Sequence, residues 1–488
     1  MAIGGGLTAL LAVTLPRLPP GVCWGDAGEL QLASAALGVA HPPGYAILVS
    51  LGHLLTRLPG IEPAYVISLV CLGSGLLAAV FAILFQIRLG VHPAAAAAVM
   101  LFWSAHPRVW NNLVSPEVYM PALAILAGSA VCLYRFTRFG QPKVLWLSAF
   151  LYGVAAAARP STLLALPFFV GVWWRYGRRS DRSWKSSCLH LVALAGLAAL
   201  PQIYCWGYLW LRDRPSTVYN YVEQYNAEFA MLPDTNQGWR AKLERLFWLR
   251  SAAQFGQHMG NTAGGVIKKM RWVVQDTFQR DLGWITAGAI LLPLGGYRTV
   301  RRSPPAFWLL AGLSIASVLF VCFYRVFGQA ADLLPLLWVG GVFCGVALAR
   351  VLPDSASRVR QMVAWALFIG VGTWSLLDAG RRPPVGTRAD AEPFLAKVDM
   401  QSLPPGTVIC SHWGTSPPLW YEQLIRGRGG QIRILHAREG EWRRLAEGVP
   451  KRALYATSAS ASLFDSPPVA ERGMWRFDAD AKDADPND

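Results

Sequence analysis

Runs of about twenty apolar residues recur along the chain, and a helix needs a run of this length to cross a bilayer. Of the 488 residues, 53% are hydrophobic and only 15% are charged, a balance that soluble globules of this size rarely have. The pattern predicts an all-α polytopic membrane bundle of about 11 spans. The clear predicted spans are Ala64–Ile87, Ala94 to about Val114, Val118–Tyr134, two short crossings between Val144 and Trp174, Cys188–Leu211, Leu282–Tyr297, Ala306–Tyr324, Ala330–Ala349 and Met362–Leu377. The first apolar stretch, Ala2–Leu15, is short for a span and has no basic flank before it, so it is a poor fit to an uncleaved helix and to a signal peptide alike.

Basic residues are concentrated in alternate loops between these spans. Because cytoplasmic loops carry an excess of Lys and Arg, these loops predict the cytoplasmic face. They contain Arg88; Arg135, Arg138 and Lys143; Arg175, Arg178, Arg179, Arg182 and Lys185; Arg298, Arg301 and Arg302; and Arg350, Arg358 and Arg360. The formal net charge of +16 is explained by these basic loops, which face the anionic headgroups of the lipids. No nucleic-acid partner is therefore expected.

The outer face then receives the loop 108–117, the segment 212–281 and the chain from Arg381 onward. The segment 212–281 is polar and contains amphipathic runs, which predicts a partly helical cap lying at the membrane interface. Residues 44–59 are apolar but only about fifteen residues long, which favours an interfacial or re-entrant helix over a crossing.

From Gly406 the pattern changes to alternating short strands and helices, which predicts a small extracytoplasmic α/β domain. The strand-like stretches are GTVIC, QIRILHA and RALYATS, and the helix-like ones are PPLWYEQLIRG and EWRRLAEGV. The predicted domains are a membrane domain at 1–378, the α/β domain at 379–475 and a disordered acidic tail at 476–488.

The stretch GDAGELQLASAALGVAHPPGY, residues 25–45, carries the first candidate site. Asp26 and Glu29 are three residues apart, so both carboxylates share one face if the segment is helical. Such a pair can supply a base and its orienting partner, or it can simply complement a helix dipole. His41 precedes Pro-Pro-Gly, a rigid turn that aims its imidazole back toward the acidic pair, although a His at a turn is often only structural.

Two further groups of candidates follow along the chain. Glu117, in SPEVY, lies at the entry of an apolar helix, where it either caps the helix or contacts a substrate or metal in a cavity shared with Asp26. Arg159 separates two apolar stretches, and Arg325 and Asp332 flank a later turn on the same predicted face. An arginine there either binds a lipid phosphate through charge-assisted hydrogen bonds or extends to the membrane interface.

Several motifs resemble a membrane family that was first catalogued as a domain of unknown function and that includes a transmembrane protein O-mannosyltransferase. They are GDAGELQLASAALGVAHPPGY followed by LGHLLTRLPG, then SPEVYMPALAIL, FLYGVAAAARPSTLLALPFF and, more loosely, YRVFGQAADLLPLL. The resemblance covers the membrane portion to about Ala349. It implies a GT-C fold, in which a bundle of spans carries an acidic residue in its first outer loop beside a lipid-linked donor.

The resemblance also implies roles for individual residues. Asp26 takes the place of the loop acid, the general base, and Glu29, His41, Glu117 and Tyr119 fall on companion motif positions that bind substrate. Arg159 stands where many relatives carry a histidine. The implied reaction is an inverting transfer of a sugar from a polyprenyl phosphate to a hydroxyl of a protein or glycan acceptor. The active site would face outward from the plasma (inner) membrane.

No cofactor is predicted, but a divalent metal with Asp26, Glu117 and His41 as ligands stays open. The eight cysteines contain no CxxC pair, so neither a zinc site nor a disulfide framework is indicated. The competing functional class is a transporter or lipid flippase, because charged residues in a bundle also mark transport paths. The sequence shows no inverted repeat that would favour this class, and a scaffold without activity is a third reading.

Overall fold

The computed structural model of the chain describes residues 2–177, 183–224, 232–234, 237–278, 290–325, 330–349, 358–381, 390–437, 442, 453–457 and 469–476. The chain divides into two compact units, each built from three separate segments. The first unit comprises residues 1–18, 70–207 and 250–383, and the second comprises residues 19–69, 208–249 and 384–488.

Most of the described residues are α-helical. The helices, in chain order, are α1 Ala2–Thr14, α2 Gly25–Ala36, α3 Ala46–Leu55, α4 Pro63–Arg88, α5 Pro93–Ala105, α6 Pro107–Leu113, α7 Tyr119–Phe139, α8 Pro142–Ala158, α9 Leu166–Val172, α10 Trp184–Arg212, α11 Trp239–Arg250, α12 Ala263–Phe278, α13 Leu292–Arg302, α14 Pro304–Phe323, α15 Leu334–Leu348, α16 Arg358–Arg381, α17 Glu392–Val398 and α18 Ser416–Leu424.

Five helices of the described residues are long and apolar enough to cross a membrane: α4, α7, α10, α14 and the helix Ala331–Leu348 that contains α15. The 26 residues of α4 extend about 39 Å at ~1.5 Å per residue, more than the ~30 Å of a hydrocarbon core. Shorter apolar helices correspond to α1, α3, α5 and α8. With ten residues, α3 has the length expected of the interfacial helix predicted at 44–59. Of the predicted span Leu282–Tyr297, residues 282–289 lie outside the described residues.

The single span predicted from Ala94 to Val114 is wrong, because two helices occupy this stretch. Helix α5 ends at Ala105 and α6 begins at Pro107. Proline disfavours the helical conformation in the residue before it, and His106 accordingly has an extended ψ of 130°. The His106 side chain accepts a hydrogen bond from the N–H of Arg108 and so caps the second helix.

Close backbone approach and reciprocal polar contacts hold the first unit together. Ser129 of α7 and Ser148 of α8 each donate a hydrogen bond to the other's carbonyl oxygen, both at 2.8 Å. A Cβ on Gly153 would lie 2.1 Å from the carbonyl oxygen of Ala198, so glycine lets α8 and α10 pack backbone to backbone. Small residues and interhelical hydrogen bonds of this kind are what hold helices together in lipid.

The second unit contains a five-stranded sheet in the order β2-β1-β3-β5-β4. Its strands are β1 Val408–Ser411, β2 Arg433–His436, β3 Leu454–Ala456, β4 Val469–Glu471 and β5 Met474–Arg476. Both β2 and β3 run parallel to β1, whereas β5 pairs antiparallel with β3 and with β4. The predicted strands at GTVIC, QIRILHA and RALYATS and the helix at PPLWYEQLIRG are confirmed, and EWRRLAEGV lies outside the described residues except for Trp442.

Arg426 links the segments of the second unit. Its guanidinium binds the carboxylates of Glu62 at 3.0 Å, Glu392 at 2.6 Å and Glu422 at 2.9 Å. The hydrogen bonds that the guanidinium donates to these carboxylates raise the pKa of Arg426 further above its usual range, so the cation stays charged. A half-buried arginine with three anionic partners fixes the segment after α3 against α17 and α18.

The sequence-based domain boundaries stay a prediction, and the compact units divide the chain differently. Residues 19–69 and 208–249 belong to the same unit as the sheet, although the sequence pattern assigns both to the membrane domain. The segment 212–281 is partly helical as predicted, since it contains α11 and α12. The predicted tail 476–488 lies outside the described residues except for Arg476.

Candidate active site

Asp26 and Glu29 lie in the first turns of α2, in the second unit. The helix begins at Gly25, which has a φ of +54° and donates its N–H to the carbonyl oxygen of Gly414 at 3.0 Å. A spacing of three residues places the two carboxylates on one side of the helix. Asp26 is half-buried, whereas Glu29 is completely buried.

Both oxygens of Glu29 have hydrogen-bond partners. Oε1 accepts from the backbone N–H of His41 at 2.7 Å and from the hydroxyl of Tyr219 at 3.1 Å. Oε2 lies 2.5 Å from Nδ1 of His41. Burial, together with the nearby carboxylate of Glu29, raises the pKa of Tyr219 well above its usual value, so the phenol stays protonated and donates. Glu29 thus fixes the orientation of His41, and a direct contact between Glu29 and substrate stays a prediction.

The turn after His41 has the geometry that the sequence predicts. The peptide bond between Pro42 and Pro43 is cis, and the N–H of Gly44 donates to the carbonyl oxygen of His41 at 2.8 Å. Gly44 has a φ of +87°, and a Cβ there would lie 2.8 Å from the side chain of Leu209. The turn directs the imidazole of His41 against Glu29, and Asp26 is connected to this pair through the indole of Trp413.

Trp413, which the sequence reasoning missed, completes this cluster. Its indole Nε1–H donates to Oδ1 of Asp26 at 2.5 Å. The ring also makes edge contacts with His41 and Tyr221, at centroid distances of 6.1 and 5.3 Å. A signal was present in the sequence, because Trp413 follows a buried strand in the turn SHWGT, and loops after parallel strands commonly carry functional side chains.

Gly28 gives a test of how tightly the start of α2 is packed. A Cβ at this position would lie 2.0 Å from the carbonyl oxygen of Cys23, which is backbone and cannot move aside cheaply. We expect Gly28→Ala to lower the free energy of unfolding by about 1–3 kcal/mol, as overpacked sites do. Gly73→Ala is the matched control, because nothing lies within 4 Å of its added Cβ. Equal thermal unfolding midpoints for the two variants would contradict this packing.

His436 and two serines form a second polar group, where the parallel strands of the sheet end. Oγ of Ser416 lies 3.0 Å from Nδ1 of His436 and 2.6 Å from Oγ of Ser411. Burial, together with the charge of His412, lowers the pKa of His436 from 6.5 to about 4. His436 is therefore neutral in the folded chain at neutral pH.

This shift predicts a loss of stability in acid. Because the folded-state pKa of His436 is below its unfolded value, the unfolded chain binds the proton first as the pH falls. The free energy of unfolding has its full value above about pH 6.5. It falls progressively as the pH drops toward 4, by up to about 3 kcal/mol. We expect the thermal unfolding midpoint to fall less over this range in His436→Asn than in the unsubstituted chain. Parallel curves for the two proteins would contradict the prediction.

The first unit contains the other predicted residues, and three of them, Tyr119, Arg159 and Asp332, line a small cavity of about 30 Å³. The guanidinium of Arg159 lies 4.1 Å from the ring centroid of Tyr119, binds Asp332, and donates from Nε to Oγ of Ser161 at 3.0 Å. These four side chains line the cavity together with apolar residues of α7, α14 and α15. Of the predicted pair flanking the later turn, Asp332 therefore joins Arg159, while Arg325 donates from Nε to the carbonyl oxygen of Gly260.

The second carboxylate oxygen of Asp332, Oδ2, differs from Oδ1, which binds Arg159. Oδ2 is buried and has no hydrogen-bond partner among the described residues. This oxygen can therefore accept a hydrogen bond from a donor such as a hydroxyl group.

Glu117 lies just before this cavity's Tyr119 in the chain and is half-buried. Its carbonyl oxygen accepts from the thiol of Cys71 at 3.3 Å, and its own N–H donates to the carbonyl oxygen of Ser115 at 2.9 Å. Its predicted contact with substrate or metal stays a prediction. Within the part of the chain that the structure describes, no three His, Cys, Asp or Glu side chains are grouped to hold a metal ion.

Comparison with known families matches residues 26–183 to the family described as "Protein O-mannosyl-transferase TMEM260 N-terminal domain". The predicted resemblance to an O-mannosyltransferase family is confirmed over this segment, which contains all six predicted site residues. The matched segment thus supplies Asp26, Glu29 and His41 to the cluster and Tyr119 and Arg159 to the cavity, while Trp413, Tyr219 and Asp332 lie outside it.

Two curated relatives have this description. The chain is 36% identical over 122 residues to "Protein O-mannosyl-transferase TMEM260" of Mus musculus, covering 24% of this chain and 17% of the relative. It is 26% identical over 189 residues to the Dictyostelium discoideum protein of the same description, covering 35% of this chain and 23% of that relative. The matches therefore span less than a quarter of the length of either relative.

Two solved structures of ArnT from Cupriavidus metallidurans have the same fold over almost the whole chain. The apo structure gives a TM-score of 0.59 at 13% identity and covers 97% of this chain and 98% of ArnT. The structure bound to undecaprenyl phosphate gives 0.60 at 13% identity and covers 96% of each chain. The predicted GT-C-like membrane bundle with a small C-terminal α/β domain is confirmed, and the chain is an integral membrane protein.

Proposed function

We propose that the chain is a membrane glycosyltransferase that moves a sugar from a polyprenyl-phosphate donor to a hydroxyl of a protein acceptor. The observation that carries this proposal is the cluster of Asp26 with Glu29 and His41, in a segment that matches an O-mannosyltransferase family. The ArnT fold supports it, since ArnT has been solved with undecaprenyl phosphate bound. No nucleotide-binding loop is required, because such a donor is already activated and lipid-anchored.

In the proposed reaction the acceptor oxygen attacks the anomeric carbon of the donor sugar. Asp26 accepts the hydroxyl proton as the new carbon–oxygen bond forms. The bond between the anomeric carbon and the phosphate oxygen breaks, and the electron pair leaves with the polyprenyl phosphate. Attack from the face opposite the leaving group inverts the anomeric configuration.

Each cluster has a defined part in this proposal. The half-buried carboxylate of Asp26 is the base, and the buried pair of Glu29 and His41 orients the groups around it. Arg159 stabilises the negative charge that develops on the departing phosphate, as a preorganised cation does. Tyr119 holds the guanidinium from one face, at 4.1 Å. Protein hydroxyls are the acceptor class because both curated relatives are described as protein O-mannosyl-transferases.

The active site is proposed to face outward from the plasma (inner) membrane. The basic loops of the predicted cytoplasmic face support this orientation, because Asp26 then falls on the opposite side. Labelling of a cysteine introduced at exposed Asp399, in the same compact unit as Asp26, tests it in intact cells. Reaction with a membrane-impermeant maleimide is the expected result, and protection until the cells are lysed would contradict it.

The function itself is tested with the purified chain and a panel of polyprenyl-phosphate sugars. Transfer is read as a mass increase of one hexose on peptides or proteins that carry serine and threonine. Reactions run with and without EDTA decide whether a divalent ion takes part. A chain that binds these lipids and moves them between leaflets without transferring sugar would be a flippase, and the proposal would fail.

A further inference from the structure

The loop between β1 and α18, His412–Thr415, leaves the sheet where the strand order reverses. β1 lies between β2 and β3, which both run parallel to it. In open α/β sheets this place, outside the carboxyl ends of the strands, is where functional loops come together. The loop is a tight turn, because the N–H groups of Thr415 and Ser416 both donate to the carbonyl oxygen of His412 at 2.9 Å.

Two neighbouring residues of this loop bind two neighbouring residues of α2. The carbonyl oxygen of Gly414 accepts from the N–H of Gly25 at 3.0 Å. The indole of Trp413 donates to the carboxylate of Asp26 at 2.5 Å. One bond fixes the start of the helix and the other fixes the carboxylate that the helix carries. These two hydrogen bonds therefore restrict the position of the Asp26 carboxylate relative to the sheet.

The indole ring contacts three other aromatic rings. His41 and Tyr221 contact it as described above, and the ring of His436 lies 5.5 Å away with its plane inclined by 64°. Tryptophan has only two side-chain torsions, so rings packed against its faces and edges fix the direction of its N–H. His436 stands at the end of β2, so the strand neighbouring β1 also takes part in holding the indole.

We propose that Trp413 is a positioning residue for the proposed base. Its N–H binds Oδ1 of Asp26 and turns the other oxygen, Oδ2, toward the acceptor hydroxyl, from which Oδ2 takes the proton. This inference rests on the proposed function. It assigns to the C-terminal α/β domain a part in the reaction that acts through Asp26, by way of a residue outside the matched family segment 26–183.

Trp413→Phe is the principal test, because phenylalanine keeps an aromatic ring and removes the N–H. We expect kcat to fall by about ten- to a hundredfold, the cost of a misplaced catalytic group, with KM for the lipid donor unchanged. The acid limb of the pH–rate profile should move to higher pH, because an N–H donor favours the charged carboxylate. A purely structural tryptophan would not shift this limb.

Trp442→Phe is the matched control. Trp442 lies in the same α/β domain, is completely buried, and donates its indole N–H to the carbonyl oxygen of Ala437 at 3.1 Å. Its replacement removes an indole hydrogen bond without touching Asp26. We expect a lower thermal unfolding midpoint, with kcat per folded molecule and the pH–rate profile unchanged.

The outcomes separate this inference from the proposed function. Asp26→Asn is assayed in parallel, and if it transfers sugar at the normal rate, the assignment of the base fails. If Asp26→Asn is inactive while Trp413→Phe matches Trp442→Phe in kcat and pH profile, only the role of Trp413 is overturned. Should Trp413→Phe not fold, Trp413→His serves instead, since its shorter ring cannot reach Asp26 in the same way. An undiminished kcat for that variant overturns the inference.

Discussion

Asp26→Asn should lower the rate of sugar transfer by about a thousandfold, the order of magnitude that a general base contributes. Asparagine is nearly isosteric with aspartate and still offers Oδ1 to the indole of Trp413, so the start of α2 keeps its hydrogen bond. It cannot accept the acceptor's proton. We therefore expect donor binding to stay within about twofold of the unsubstituted chain, since the substitution removes only an interaction made in the transition state. The measurements are a single-turnover assay and the Kd of the lipid donor.

Asp399→Asn is the control for this experiment. Asp399 is exposed, lies in the same compact unit and has a φ of +42°, a conformation that asparagine adopts readily. Its transfer rate should equal that of the unsubstituted chain. Full activity of Asp26→Asn would remove Asp26 from the mechanism. A flippase would give a different result. Neither the unsubstituted chain nor Asp26→Asn would then transfer sugar, and both would still move lipid between the leaflets.

Arg159→Gln should weaken binding of the lipid-phosphate donor by about ten- to a hundredfold. Charge-assisted hydrogen bonds contribute about 1.5–3 kcal/mol, and each 1.4 kcal/mol is about a factor of ten in affinity. Glutamine keeps polarity at the position but loses the charge and the planar fork that suits phosphate. The Kd is measured with a polyprenyl-phosphate sugar and with the polyprenyl phosphate alone. Arg325→Gln is the control, because Arg325 is exposed and donates to a backbone carbonyl.

A second substitution separates phosphate binding from a structural ion pair. Arg159 binds the nearly buried Asp332, and removing either partner of such a pair destabilises a fold. If Arg159 serves only that pair, Arg159→Gln and Asp332→Asn should lower the thermal unfolding midpoint alike and leave the donor Kd unchanged. If it binds phosphate, Asp332→Asn should retain donor affinity, because a competing anion has been neutralised, while Arg159→Gln loses it.

The sequence predicted those parts of the site that are formed by residues close together in the chain. The turn His41-Pro42-Pro43-Gly44 and the spacing of Asp26 and Glu29 lie within twenty residues of each other, so helix periodicity and turn chemistry bring them together. Apolar composition alone predicts one span from Ala94 to about Val114, but Pro107 divides this stretch into two helices. The error shows that apolar composition detects burial in lipid better than it detects helix ends.

The sequence by itself determined the class of the molecule and the local part of its site. Apolar run length decides that helices must cross a bilayer, because an unpaired backbone group in lipid is too costly, and short-range geometry decides which carboxylates and imidazole meet. Only the tertiary structure decided the long-range partners: Trp413 for Asp26, 387 positions away, Tyr219 for Glu29, 190 away, and Asp332 for Arg159, 173 away. Their contacts arise from the packing of whole elements, and no pattern of neighbouring residues encodes a contact over such a separation.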